Sequence, residues 1–359
     1  SLQNNLPTAP VHDLALGTTS DDLVIATHGR SFWVLDDLAP LRQLTPGGEP
    51  AVHLFQPEPV YRIRRAGGGW TDSPFAQAAP SGAVLDYWLK DAPKDPITLT
   101  IVDGHGQVVR TFTGVKKTEP ADQPEPKEDA NGAPRAPKIP VEPGFNRFEW
   151  DLRAAPPSAL LKDVVLWDGS GREGPRVVPG IYTVRLEAAG GRQEAPLTVL
   201  PDPKSPASPE GLQAQQVLLL RLRDDLTRLA TMGNKITDLR KELGDVLARI
   251  KNDAQADQLR AAAQDLSDKL DGIDQKLADR RFKEGEDVLR YPVRLYNRLS
   301  TLSGFVGASD GAPSPAAQEL ARQLEGQLDQ QAAIFDQLLK TAVPAINQLA
   351  AEAHLGLLH

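Results

Sequence analysis

Short runs of apolar and polar residues open the chain and predict three β-strands. Residues 11–16 alternate as a half-buried strand does, whereas residues 23–26 and 31–35 are more uniformly apolar. His-Gly-Arg at 28–30 separates the last two runs, and its glycine favours a tight hairpin turn. Three short strands with tight turns are typical of a β-propeller blade. A lone blade cannot bury its faces, so we expect residues 1–46 to be the last blade of a propeller whose other blades lie upstream.

A second set of strand-like runs lies within residues 47–203 and predicts about seven further strands. Turn-forming residues separate these runs, among them Asp-Gly-His-Gly at 103–106. Strands of this number and spacing predict an immunoglobulin-like β-sandwich. A proline-rich, charged stretch at 116–143 interrupts the pattern. Its few large apolar residues cannot offset the entropy of ordering, so we expect a disordered surface insert.

From residue 204 to residue 359, apolar residues recur at spacings of three and four and predict four helices. Ser208 followed by Pro209 is a typical helix start. Each predicted helix is apolar on one side only, which predicts an antiparallel, coiled-coil-like four-helix bundle. Two-stranded coiled coils use the same spacing, so a homodimer through this region is the alternative. The predicted fold is therefore multidomain, β plus α.

The charge and composition of the chain argue against several classes of partner and binding site. The formal net charge of −8 argues against a nucleic-acid partner, and no apolar run is long enough to span a membrane. The chain has no cysteine, which excludes disulfides and thiolate metal sites within it. None of its six histidines lies at metal-ligand spacing. We therefore predict no metal and no cofactor.

The residues best suited to binding or chemistry lie near the predicted hairpin and in one glycine-rich loop. Arg30 is suited to hold a carboxylate or phosphate, and His28 is suited to acid or base chemistry. The structural alternative is that Arg30 pairs with Asp36 or Asp37 and fixes the corner of the blade. Because Asp36 and Asp37 are adjacent, they point to opposite faces of a strand, which disfavours joint glycoside hydrolysis. Trp70 is the candidate exposed aromatic.

Two segments resemble known families. Residues 11–44 resemble the last blade of large bacterial exported proteins related to sortilin-type and BNR/Asp-box propellers. These proteins are often labelled glycosyl hydrolases or photosystem II assembly-factor-like proteins. Gly29 and Phe32 match the glycine and the aromatic of the Asp-box, whereas Thr27 stands where the box has its aspartate. Residues 144–151, followed by residues 178–186, are similar to the Ig-like module of flagellar hook-capping proteins and of bacterial secretion-sorting domains.

The resemblance implies a non-enzymatic binding or scaffold segment in the bacterial periplasm or exterior. Its partners would be the upstream propeller blades and a protein or glycan ligand. One alternative is the accessory part of a sialidase-like glycoside hydrolase whose catalytic residues lie in the missing blades. Another is a chaperone or assembly factor that uses the propeller to hold its client.

Overall fold

The structure, a computed structural model, describes residues 6–17, 21–44, 50–64, 80–115, 137–188, 191–250 and 256–352. It has a mixed β and α fold in which strands precede a C-terminal helical region, and this order confirms the coarse prediction. The chain divides into two compact units. The first unit consists of Ser1–Pro124, Ala136–Arg153 and Val177–Ser205, and the second of Glu125–Arg135, Ala154–Arg176 and Pro206–His359.

The first sheet lies in the first unit and has three antiparallel strands in sequential order. They are β1 (Val11–Leu16), β2 (Leu23–Thr27) and β3 (Phe32–Leu35), and the short helix α1 (Ala39–Gln43) follows them. The β2–β3 turn contains two residues with positive φ, Gly29 at 73° and Ser31 at 66°. Glycine adopts this conformation without steric penalty, which explains why the hairpin forms at His-Gly-Arg.

Two further sheets of the first unit share one hydrophobic core. Their strands are β4 (Val52–Leu54), β5 (Val60–Tyr61), β6 (Ala83–Leu89), β7 (Ile97–Val102), β8 (Val108–Gly114), β9 (Gly144–Trp150), β10 (Gly180–Ala188) and β11 (Gly191–Leu200). The larger sheet has the order β5-β11-β10-β7-β8, and the smaller has the order β4-β6-β9. Only the β5–β11 pair is parallel among the described strand pairs. Trp150 and Tyr87 are the largest fully buried side chains of this core.

The end of the predicted insert belongs to this core. Ile139 and Val141 are buried at 3% and 7% exposure. The Ile139 amide donates to the Thr113 carbonyl, and the Tyr87 hydroxyl donates to the Pro140 carbonyl. Ile139 and Val141, at alternate positions, anchor this stretch in the core. The composition predicts an insert that extends to residue 143, but the buried residues show that the insert ends before residue 139. Residues 116–136 of the predicted insert lie outside the described residues.

The described residues of the second unit form four α-helices and one 3₁₀ helix. They are α2 (Pro209–Arg249), α3 (Asp257–Leu277), the 3₁₀ helix (Gly285–Leu289), α4 (Leu295–Gly307) and α5 (Pro315–Glu352). The Ser208 hydroxyl caps α2 by accepting from the Gly211 amide at 3.1 Å. Leucines of the predicted helical seams, such as Leu226, Leu266 and Leu324, are fully buried in one core. The seams therefore pack against one another within the chain.

Two details of this unit differ from the predicted pattern. Residues 154–176, which the pattern places in the sandwich, belong to the helical unit, because Leu161 and Leu166 are buried in its core. Leu289, which the pattern places on the seam of a helix, is 83% exposed. It ends the 3₁₀ helix, whose three-residue repeat does not continue the spacing of the seam on α4.

Candidate functional site

The sheet formed by β1, β2 and β3 exposes much apolar surface. Every residue of β1 is exposed. Leu14 and Leu16 are each 58% exposed, and Val34 and Phe32 of β3 are 56% and 74% exposed. Single exposed apolar residues are common, but a group of large ones on one small sheet marks a binding surface.

This apolar surface covers both faces of the sheet. Leu14 lies opposite Ile25, which in turn lies opposite Trp33, so these three side chains share one face. Val34 lies opposite Val24, the residue before Ile25, and therefore points to the other face. Ile25 is buried at 9% exposure, but Leu14 beside it and Val34 on the opposite face are both exposed, so each face carries large apolar side chains that the described residues leave open to solvent. An antiparallel sheet of a globular protein ordinarily exposes only one polar face.

The hairpin between β2 and β3 is held by side-chain hydrogen bonds. The Thr27 hydroxyl donates to the Ser31 carbonyl at 2.7 Å, and the Trp33 indole donates to the Arg30 carbonyl at 2.9 Å. These bonds fix the backbone and leave the His28 and Arg30 side chains exposed. The His28 ring lies 4.9 Å from the ring of His12 on β1. The hairpin and the neighbouring strand β1 thus present two imidazoles and one guanidinium to solvent.

Arg30 makes no ion pair with Asp36 or Asp37 among the described residues, contrary to the structural alternative predicted for it. The corner is instead fixed by Arg42 of α1, whose Nε and Nη2 atoms donate to Asp21 at 2.9 and 2.8 Å. The hydrogen bond from Arg42 lowers the pKa of the half-buried Asp21 carboxyl. It ties α1 to the segment that enters β2.

Asp37 belongs to a cluster of charges with two residues from the smaller sheet. Arg147 of β9 donates to Asp86 of β6 through Nε at 2.9 Å and through Nη2 at 2.8 Å. Asp86 is only 3% exposed, and the Asp37 carboxylate lies 3.8 Å from Arg147 Nη2. Burial raises the pKa of Asp37, while its hydrogen bond from the Ala39 amide acts in the opposite direction. The bidentate geometry makes this cluster a structural clamp at the end of β3.

The clamp is a feature that the sequence prediction missed. Asp86 is the one charged residue of the apolar strand β6, and such a residue signals a buried partner. Its partner, Arg147, lies directly opposite on β9, a register that the sequence does not reveal. Of the other predicted site residues, Asp36 is exposed. Trp70 lies outside the described residues.

The hairpin and the sheet leave side chains open to solvent, whereas those of the clamp are engaged within the protein. The Arg147 guanidinium is engaged by Asp86, and Asp37 is held by the Ala39 amide, so neither is poised to transfer a proton to a ligand. Among the described residues, no three His, Asp or Glu side chains are grouped to hold a metal ion. The sheet carries exposed apolar side chains on two faces, and β1 and β3 are its edges among the described strands. Both features suit contact with other strands.

No helix within the described ranges is long and apolar enough to cross a membrane. Comparison with known proteins found no matching family model, no matching curated protein and no matching solved structure.

Proposed function

We propose that this chain is a non-enzymatic binding or scaffold segment of a larger exported β-propeller protein, with residues 1–46 as its last blade. The observation that carries the proposal is the exposure of large apolar side chains on both faces of the first sheet. A blade of a closed propeller has a neighbouring blade against each face, so both of its faces are apolar. The neighbours here are the upstream blades of the same protein.

The open edges of the sheet support the same proposal. The three described strands leave β1 and β3 as edge strands, whereas a propeller blade usually has four strands. A fourth strand from the upstream blades would pair with one of these edges and satisfy its free backbone groups. The hairpin carrying His28 and Arg30 would then lie at one rim of the propeller, where loops contact a protein or glycan ligand.

The rest of the chain takes a supporting role in this proposal. The two sheets around the core of the first unit would form an Ig-like spacer, and the helical region would dock or dimerise. In support, all but one of the strand pairs in those sheets are antiparallel, as in such sandwiches. The periplasmic or secreted location belongs to the proposal and is supported by the family resemblance alone.

The absence of cysteine from the chain allows a direct test. Single cysteines placed at Leu14 and Val34 report on the two faces of the sheet, and a cysteine at Ile334, 41% exposed on α5, is the matched control. The rate of labelling by a soluble maleimide is measured in this chain and in the polypeptide extended upstream to include the preceding blades. We expect both sheet cysteines to label at least ~10-fold more slowly in the longer polypeptide, because exposure of the thiol limits its reaction. The control rate stays unchanged.

Two results would overturn the proposal. Equal labelling of both sheet cysteines in the short and long polypeptides would mean that no upstream segment covers the sheet. Protection of the Leu14 position alone, or of the Val34 position alone, would indicate an ordinary two-layer packing, since a propeller blade is covered on both faces.

A further inference from the structure

An arginine-rich cavity of about 380 Å³ lies in the helical unit. Arg240 of α2, the last turns of α3, the loop after α3 and Arg294 at the start of α4 contribute to its lining. Four arginines and three aspartates face it, so its lining carries a net charge of +1. Its volume falls within the range of small-molecule sites.

Each of the three carboxylates already has an arginine partner. Asp274, 3% exposed, accepts from Arg280 Nη2 at 2.7 Å. Asp271 lies 2.6 Å from Arg240 Nη2, and Asp279 lies 2.7 Å from Arg281 Nη2. The hydrogen bond from Arg281 also lowers the pKa of Asp279, which keeps that carboxylate ionised and paired. The aspartates are therefore engaged with the protein.

Arg280 directs all three of its guanidinium nitrogens to acceptors within the protein. Besides Asp274, its guanidinium donates to the carbonyls of Gly233 at 3.1 Å and Lys162 at 3.0 Å. It also donates to the Thr237 hydroxyl at 3.0 Å. Arg280 thus joins α2, α3 and the segment before α2, and it forms the wall of the cavity.

The other three arginines retain free donors. Arg294 is exposed and makes no ion pair within the described part of the chain. Arg281 uses Nε and Nη2 on Asp279, which leaves Nη1, and its guanidinium is held 4.2 Å above the ring of Tyr291. The Nε atom of Arg240 is buried and has no hydrogen-bond acceptor among the described residues. Arg240 uses Nη2 on Asp271, and its Nη1 atom lies 3.9 Å from Asp274, so Nη1 is the donor that it can offer to a ligand.

The start of α4 adds to the positive potential. Its N-cap residue is Arg294, whose side chain cannot accept a hydrogen bond and makes no cap. The first amides of a helix without a side-chain cap favour an anion, as does the helix dipole at that end. The free guanidinium groups and this helix start therefore favour the same kind of ligand.

We propose that this cavity binds a phosphoryl group through Arg281, Arg294 and Arg240. Guanidinium groups match the oxygens of phosphate in geometry and charge, and arginine is favoured over lysine where that geometry matters. The cavity is larger than a phosphate ion, so a small phosphomonoester fits the site as well as inorganic phosphate does. This site does not depend on the proposed function of the first sheet.

The test is calorimetric titration of the whole chain with inorganic phosphate and, separately, with glycerol phosphate, at fixed ionic strength in chloride. We expect saturable binding with a Kd of about 1 mM or tighter, and tighter binding of whichever compound is the natural source of the phosphoryl group. Arg294→Ala should weaken binding at least ~10-fold. Arg322→Ala is the matched control, because Arg322 lies on α5 outside the cavity lining and should leave Kd unchanged.

Circular dichroism at 222 nm establishes that each variant is folded. If Arg294→Ala does not fold, Arg281→Lys provides the second test, since it keeps the charge and removes the planar donor fork, and we again expect weaker binding. Absence of saturable heat up to about 20 mM of either compound would overturn the proposal. A buried water molecule would then be the partner of Arg240 Nε. Equal weakening by Arg294→Ala and by the control would also overturn it.

Discussion

At the residue scale, Asp225 of α2 is the carboxyl group most strongly perturbed by its surroundings. Burial raises its pKa to about 6, and the carboxylates of Glu325 and Asp329 on α5 act in the same direction. Arg228 and Arg221 oppose the rise. Each of these arginines is already paired, Arg221 with Glu325 and Arg228 with Asp329. Among the described residues, Asp225 therefore ionises without an ion-pair partner of its own.

We predict that Asp225→Asn stabilises the helical unit at pH 7.5 by about 1–2 kcal/mol, after allowance for solvent screening of a half-buried group. The folded pKa of about 6 lies above the ordinary value of 3.8. The folded state thus retains a proton that the unfolded state has released. The contribution of the Asp225 proton to the free energy of unfolding is complete below about pH 4 and is lost as the pH rises through about 6. The measurement is urea unfolding followed at 222 nm between pH 4 and pH 8.

The advantage of the variant over the wild type should grow between about pH 4 and pH 6.5 and then level off. Asp224→Asn is the matched control, because the neighbouring Asp224 side chain is 66% exposed and paired with Arg223. Its effect should be small and nearly independent of pH. The prediction is wrong if the difference in unfolding free energy between Asp225→Asn and the wild type stays constant across this pH range.

At the element scale, the long helices could be predicted because their signal is local. The seam of α2, with Leu222, Leu226 and Leu229 buried, follows from spacings of three and four within one segment. The 3₁₀ helix at Gly285–Leu289 is too short for periodicity to reveal. The pairing of Asp86 with Arg147 joins β6 to β9, and cross-strand register depends on residues far apart in the chain.

The same limit explains why the sequence pattern assigns residues 154–176 to the wrong unit. Their apolar residues, among them Leu161 and Leu166, follow neither a strand nor a helix period, so the pattern shows that they are buried but not in which core. At the hairpin, by contrast, the need for positive φ at Gly29 is local, and the turn could be predicted. Its role in ligand recognition depends on surfaces beyond the strand itself and stays a prediction.

Glycines inside α2 give a prediction at this scale. A Cβ at the exposed Gly244 would meet nothing within 4 Å, so Gly244→Ala should stabilise the helical unit by about 0.5–1 kcal/mol through helix propensity. At Gly233 the same Cβ would lie 2.5 Å from Cδ1 of Leu161, which is itself buried. Gly233→Ala should therefore lose this gain or destabilise the unit. Thermal unfolding at 222 nm compares the two, and equal stabilisation by both substitutions would contradict the predicted clash.

At the scale of the whole molecule, the described residues form two separate hydrophobic cores. The buried residues of the sheet core, such as Leu99 of β7, do not overlap with those of the helical core, such as Leu266 of α3. Each core belongs to one compact unit. A core of its own gives each unit its own cooperative unfolding transition, since cooperativity follows from shared packing.

We therefore predict that core mutations act on one unit at a time. Leu99→Ala and Leu266→Ala each remove a fully buried side chain and should each destabilise their own unit by about 2–5 kcal/mol. The two units are followed separately, the helical one at 222 nm and the sheet one by tryptophan fluorescence in a Trp167→Phe background. That background is needed because Trp167 is the tryptophan of the second unit. Leu99→Ala should shift the fluorescence transition and leave the 222 nm transition in place.

Leu266→Ala should have the opposite effect, so each variant serves as the control for the other. If either variant shifts both transitions together, the two cores unfold as one cooperative system, and the separate-unit prediction is wrong. If each variant shifts only its own transition, the 222 nm signal reports whether the second unit is intact. A substitution on the exposed first sheet can then be assayed separately for its effect on the upstream blades. Separate transitions would thus give the labelling test at Leu14 and Val34 an internal measure of folding.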